Sequence, residues 1–185
     1  MRPALTGIPA LTTARLVLRA PEAADGDAYA AFLMGARSVH AGGPLERADA
    51  WRAFAQFIGH WVLRGFGSYI MTLRATGQAV GLAGAWFPLG RPERELGWVI
   101  WSAEHEGKGL AREAALATRA HAYGVLGWET AVSYIHPDNT RSQSLARRLG
   151  CRLDRDAVRP TPGTADVWRH PDPVALAAGC PEANA

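Results

Sequence analysis

Hydrophobic positions along the chain change their period several times, and each change marks an element. Arg15-Leu16-Val17-Leu18-Arg19, an apolar run closed by charges at both ends, predicts a half-buried strand. Asp25 to Met34 predicts a short helix with Tyr29, Phe32 and Leu33 on one side. After the Gly42-Gly43-Pro44 break, Glu46 to Arg64 sets Trp51, Phe54, Ala55, Ile58, Trp61 and Val62 at spacings of three and four, with Arg52, Gln56 and His60 opposite. That pattern predicts an amphipathic helix laying an aromatic stripe on a flat partner. Ser68 to Arg74, Ala79 to Phe87 and Glu95 to Trp101 are apolar or alternating runs, separated by Ala75-Thr76-Gly77 and Pro88-Leu89-Gly90-Arg91-Pro92. Such turn chemistry predicts an antiparallel meander. A helix over Leu110 to Leu126, a strand over Thr130 to Ile135, a helix over Thr140 to Leu149 stopped by Gly150, and closing strands over Leu153 to Arg159 and Ala165 to Arg169 complete the order.

A three-strand meander in the middle of the chain excludes a purely doubly wound parallel sheet. The expected fold class is α+β: a mixed, mostly antiparallel central sheet of about seven strands with helices on both faces. Residues 14–171 form one domain in this reading, with a leader over 1–13 and a flexible tail over 172–185.

Composition narrows the chemistry. The 48% hydrophobic and 20% charged residues match a globular chain, which excludes wholesale disorder. Only Cys151 and Cys180 are present, as in a reducing compartment, and neither a membrane-length apolar run nor a secretory h-region occurs. A cytoplasmic location with no membrane partner is expected. The net charge is +3, and Lys108 is the only lysine. Flanked by Gly107 and Gly109, its amine is poorly placed for the desolvation that Schiff-base chemistry needs. The arginines are scattered, without interleaved aromatics, so no nucleic-acid partner is expected despite a pI near 9.2.

Several familiar motifs fail on one residue. His105-Glu106 begins a zinc-protease H-E-x-x-H, but Gly109 stands where the second histidine belongs, and the other histidines lack ligand spacing, so no metal is expected. Gly107-Lys108-Gly109 lacks the Ser or Thr of a phosphate-binding P-loop, and Arg112 replaces the third glycine of a dinucleotide fingerprint. No G-x-S-x-G elbow occurs. What remains is Glu106 to Ala114, a glycine-rich turn feeding a helix start. It reads either as an anion site built from unpaired amides or as a plain strand-to-helix turn.

The downstream segment His136-Pro137-Asp138-Asn139-Thr140-Arg141-Ser142 separates these readings. Here the chain resembles the GNAT superfamily of acetyl-CoA-dependent N-acetyltransferases, in particular the RimJ/RimL-type branch that acts on ribosomal proteins. The family pattern Q/R-x-x-G-x-G/A, then N-x-x-S, reads Glu106-x-x-Gly109-x-Ala111 and Asn139-x-x-Ser142. The resemblance runs from about Arg15 to Pro171 and includes Glu95-Leu96-Gly97-Trp98 and Val167-Trp168-Arg169-His170-Pro171. Glu106 departs from the usual Gln or Arg; its carboxylate would repel a pyrophosphate, so it must point away or offer only its amide.

The resemblance implies acetyl-CoA as co-substrate, with its pyrophosphate on amides from Gly107, Lys108, Gly109, Leu110, Ala111 and Arg112, and its pantetheine arm where the fourth and fifth family strands diverge. Arg112 and Arg141 meet the phosphates or are helix-surface residues. Asn139 bonds the cofactor arm or caps a helix. The amide of Val99 or Ile100 would face the thioester oxygen. Glu95 is the candidate general base, or a solvated strand residue. Ser142 is the first choice to protonate the departing thiolate, with Tyr134 and His136 in reserve. The implied partner is an amine acceptor, a protein N-terminus or a small molecule, with Trp51, Trp61, Trp86, Trp98 and Trp168 as pocket walls or core. A homodimer using part of the aromatic stripe is a further expectation. The alternative is a CoA-binding regulatory domain without turnover.

Overall fold

The computed structural model describes residues 5–161 and 163–178. Eight strands form one sheet: β1 Leu11–Thr12, β2 Leu16–Arg19, β3 Ser68–Leu73, β4 Ala79–Trp86, β5 Glu95–Ile100, β6 Val132–Ile135, β7 Arg152–Asp154 and β8 Asp166–Arg169. Their spatial order is β1-β2-β3-β4-β5-β6-β8-β7, and every pairing is antiparallel except β5 with β6. The helices are α1 Gly26–Met34, α2 Arg47–Arg64, α3 Leu110–Gly124, α4 Thr140–Arg148 and the short α5 Pro173–Ala177. The mixed, mostly antiparallel α+β fold is as expected.

Strand alternation sorts the core into two faces. Ile70, Leu82 and Val99 pack against Tyr29, Phe32 and Leu33 of α1 and Phe54 of α2. On the other face, Leu16, Leu18 and Met71, joined by Val80 through a β-bulge in the β3–β4 pairing, meet Leu110 and Ala114 of α3, and Ile135 and Trp168 meet Leu145 of α4 and Leu149 at its C-cap. Helix α2 stops at Gly65, whose φ of +74° favours glycine and whose amide bonds the Trp61 carbonyl at 3.0 Å. The buried stripe of α2 is narrower than its sequence pattern. Phe54 and Trp61 are buried, whereas Trp51 and Val62 stand 67% and 68% exposed.

Other differences have local causes. Within the expected leader, Leu11–Thr12 pairs with β2, adding an edge strand too short for periodicity to reveal. Within the expected tail, Asp172 caps α5 by accepting the Ala175 amide at 2.7 Å. Residues 1–4 and 179–185, including Cys180, lie outside the described residues. The strand expected to reach Arg159 ends at Asp154, whose Oδ1 accepts the amides of Asp156 at 3.2 Å and Ala157 at 3.1 Å. That side-chain turn bends the chain out of the sheet.

The pairing of β5 with β6 positions the site. They share one register pair, Glu95 opposite Val132, with the Val132 amide on the Arg94 carbonyl at 3.0 Å. Beyond it β5 continues along β4 and β6 along β8, so the two strands separate. A buried chain of side chains pins the point of divergence. Ser133 Oγ donates to the Leu96 carbonyl at 2.6 Å and accepts from His170 Nε2 at 2.9 Å. Burial, aided by the Arg119 charge, pushes the His170 pKa down to about 3, so the imidazole is neutral with its proton on Nε2.

Candidate active site

The gap between β5 and β6 opens into a cleft of about 1170 Å³. One wall is Trp98, Val99 and Ile100 of β5; a second is Gly107 and the first turn of α3; a third is Asp138 to Ser142 at the start of α4. Two helix N-termini therefore face one cavity, each presenting the positive end of its dipole. Gly107 and Gly109 have φ of +70° and +77°, and Gly109 is the N-cap of α3. The need for glycine here is conformational: a β-carbon on Gly109 would meet Arg15 Nη2 at 3.4 Å, and one on Gly107 would meet nothing within 4 Å.

Arg15 holds the turn from behind. Its Nη1 donates to the Lys108 carbonyl at 2.7 Å, and its Nε and amide both donate to Glu113 at 2.7 Å. The Thr13 hydroxyl adds a bond to the same carboxylate at 2.6 Å. Although burial opposes it, these Thr13 and Arg15 donors hold the Glu113 carboxyl below its usual range. Tying the Lys108 carbonyl to Arg15 commits it to the side away from the cleft. The Lys108 side chain is not part of the cleft lining.

Backbone alternation decides which β5 amides can reach the cleft. The Trp101 amide bonds Val80 of β4 at 3.0 Å, whereas the Leu96 carbonyl is turned to Ser133 of β6. Residues of one parity therefore address β4 and those of the other address the gap. The Val99 amide is directed to β4, and the Ile100 and Trp98 amides are directed to the cleft. Of the two candidates for the thioester oxygen, Ile100 has the suitable direction; Val99 contributes to the wall.

The remaining expected residues divide into two groups. Gly109, Leu110, Ala111, Arg112, Asn139, Arg141 and Ser142 all line the cleft. Asn139 caps α4, its Oδ1 accepting the Ser142 amide at 3.1 Å. The structure thus realises the capping role of that side chain, although the residue borders the cavity. Glu95 and Tyr134 do not line it. Both lie at its root, on the sheet face covered by α1 and α2. Glu95 Oε2 is buried 3.3 Å from Arg91 Nη2 without hydrogen-bond geometry. Burial pushes its pKa up to about 7, against the opposing pull of Arg91 and the Tyr134 backbone. The reading of Glu95 as a solvated edge residue is overturned, because β6 and Arg91 cover it. The Tyr134 hydroxyl accepts the Glu93 amide at 3.2 Å, and Arg91 lies over its ring at 5.0 Å.

Sequence reasoning missed the loop after α1. Arg37, Val39, His40 and Ala41 form the remaining side of the cleft, and His40 stacks on His136 with ring centroids 5.3 Å apart. Nothing periodic marks this loop, and its partners lie far along the chain. Glu106, expected to point away or to offer only its amide, borders the cleft, and its carboxylate binds Arg37 at 2.5 Å and Arg141 at 2.6 Å. Of the five tryptophans weighed as pocket walls or core, only Trp98 lines the cleft; Trp61 and Trp168 are buried, and Trp86 stacks on His60. Cys151 is free and buried, and that burial pushes its thiol up to about 12, so it is no nucleophile at neutral pH.

This architecture agrees with known proteins. The model of the acetyltransferase (GNAT) domain matches residues 15–152. An acetyltransferase from Agrobacterium tumefaciens is 36% identical, with a TM-score of 0.84 over 93% of this chain and 99% of that one. A GNAT-family acetyltransferase from Bordetella pertussis is 30% identical, with a TM-score of 0.73 over 88% of this chain and 98% of the other. More distantly, RimL, a ribosomal alpha-N-protein acetyltransferase solved in complex with coenzyme A, shares the fold at 16% identity, with a TM-score of 0.67 over 88% of this chain and 96% of that one. The chain belongs to the GNAT acetyltransferase family and is an acyltransferase. Members of this family take the acetyl group from acetyl-CoA.

Proposed function

We propose that this protein is an N-acetyltransferase of the RimJ/RimL type that passes the acetyl group of acetyl-CoA to a primary amine by direct attack. The acceptor in this reading is a protein N-terminus or a small amine. The observation that carries the proposal is the convergence of the α3 and α4 N-termini, with the Gly107 to Arg112 amides and Arg141, on the cleft where β5 and β6 part. An elongated anion with a diphosphate fits that donor set, because the amides and dipoles need a negative partner.

The reaction needs a neutral amine, a stabilised oxyanion and a proton for the thiolate. Glu95, with a pKa near 7, is matched to accept the amine proton at neutral pH. It lies four residues from Val99 on the same strand face, roughly 13 Å away at strand rise, so a water relay suits it better than direct contact. The Ile100 amide would meet the oxygen as the amine adds to the carbonyl carbon. The C–S bond then breaks, and Ser142, at the first turn of α4, would pass the sulfur a proton while regaining one from solvent, to which Glu95 releases the amine proton. Cys151 is unsuited to an acyl-enzyme route.

Cofactor binding is the first test. At about a hundred times its dissociation constant, acetyl-CoA should stabilise the fold by roughly 2.7 kcal/mol in thermal unfolding. Gly109→Val should abolish the shift, because a branched residue cannot hold φ of +77° at the N-cap. No shift at millimolar CoA would sink the assignment. Screening amines for thiol release with acetyl-CoA then separates the enzyme from a binding domain without turnover.

A further inference from the structure

Four arginines, Arg37, Arg112, Arg141 and Arg148, line the cleft against two carboxylates, Glu106 and Asp138. The excess of positive charge suits a polyanion, yet Glu106 occupies two of the four arginines. Its Oε1 takes Arg37 Nη2 at 2.5 Å, and its Oε2 takes Arg141 Nη1 at 2.6 Å. Arg37 comes from the loop after α1 and Arg141 from the start of α4, so a single carboxylate straps opposite walls of the cavity. The strap crosses beside Gly107 and Gly109, where the helix amides converge.

The two arms of the strap differ. Arg37 is anchored a second time, its Nε donating to the Trp101 carbonyl at 3.3 Å, and its side chain is 36% exposed. The Arg141 side chain is 79% exposed and reaches Glu106 by a long flexible stem. An anion entering beside the α3 turn would therefore detach Arg141 and leave Glu106 paired with Arg37.

We propose that Glu106 is an internal counter-ion that competes with the cofactor's phosphates for Arg141 and so limits the affinity for coenzyme A. The inference rests on the acetyl-CoA reading above. The carboxylate and the diphosphate bear like charges and contest one guanidinium, so each makes the other's contact weaker. Coenzyme A and acetyl-CoA carry the same phosphates, so the strap weakens both alike and speeds departure of the product.

Titrating coenzyme A calorimetrically into the wild type, Glu106→Gln, Arg141→Ala and the double variant tests this. Arg141 is exposed and Glu106 is half-buried in the open cleft, and Gln keeps the shape of Glu without its charge. At low ionic strength Glu106→Gln should bind coenzyme A about 2- to 5-fold more tightly, the scale of one exposed ion pair, and raised salt should shrink the gain. In the Arg141→Ala background the same substitution should change affinity much less. Equal or weaker binding by Glu106→Gln would overturn the proposal, as would an undiminished gain without Arg141. If none of the four proteins binds coenzyme A, the acetyl-CoA reading falls and this one with it; binding without the difference removes the counter-ion alone.

Discussion

Ser142 and Tyr134 were both candidates to protonate the departing sulfur, and their surroundings differ. Ser142 borders the cleft on the first turn of α4, with its amide fixed by Asn139 at 3.1 Å. Tyr134 lies outside the lining, and burial raises its pKa, which disfavours loss of its proton. A thiol near the cysteine pKa of about 8.5 is a moderate leaving group, so a positioned hydroxyl should help without being indispensable. Ser142→Ala should therefore lower kcat roughly tenfold to a thousandfold and leave acetyl-CoA affinity almost unchanged, since the lost contact forms mainly in the transition state. Steady-state kinetics on a confirmed acceptor, with calorimetry for affinity, would check the split. A fully active Ser142→Ala beside an inactive Tyr134→Phe would transfer the role to the tyrosine.

At the scale of elements, the divergence of β5 and β6 depends on a few buried polar bonds. Without Ser133 the Leu96 carbonyl loses its 2.6 Å donor, and the His170 Nε2–H is stranded in a buried place. Ser133→Ala should cost about 1–3 kcal/mol in chemical denaturation, with the midpoint falling more than the slope changes. The same variant should raise the KM for acetyl-CoA more than it lowers kcat, because the width of the gap governs binding along its length. Helices and strands with long periodic patterns, such as α2 and β3 to β5, were legible in the sequence because burial on one face imposes the period. The amide turn at Gly107 to Ala111 was legible for a related reason, since positive φ selects glycine. The ends of β7 and the existence of β1 were not legible, because an aspartate side chain and a two-residue pairing leave no periodic trace. Nor was the strap through Glu106 legible: its partners are 69 and 35 residues away, and charge alone does not say which arginine a carboxylate will find. Alternation puts Glu95 and Val99 on one face of β5, but it does not say which end of the strand borders the cavity, and the lining extends from the end away from Glu95.

Across the whole molecule, two buried groups set opposite pH slopes. The native state refuses a proton at His170 until about pH 3, whereas the unfolded chain takes it near 6.5, so this group costs stability as pH falls through that window. Glu95 acts in the other direction. Its native pKa near 7 lies above the unfolded value of 4.5, so its contribution is fully present below 4.5 and is lost as pH rises towards 7. Where the windows overlap, native and unfolded chains hold the same number of these two protons, and their slopes cancel. Glu95→Gln removes one side of the balance. Other groups titrate alike in both proteins, so the stability difference between variant and wild type isolates Glu95. That difference should grow in the variant's favour by about 3 kcal/mol between pH 4.5 and pH 8, measured by urea denaturation across the range. In kinetics, the wild-type rate should rise with a pKa near 7 and the variant should lose that limb, so the deficit is small where Glu95 is itself protonated, greatest above pH 7, and partly recovered where the amine is already neutral. A stability difference that stays constant with pH would mean that Glu95 is not the desolvated acid, and a wild-type pH–rate profile in the variant would remove it as the base.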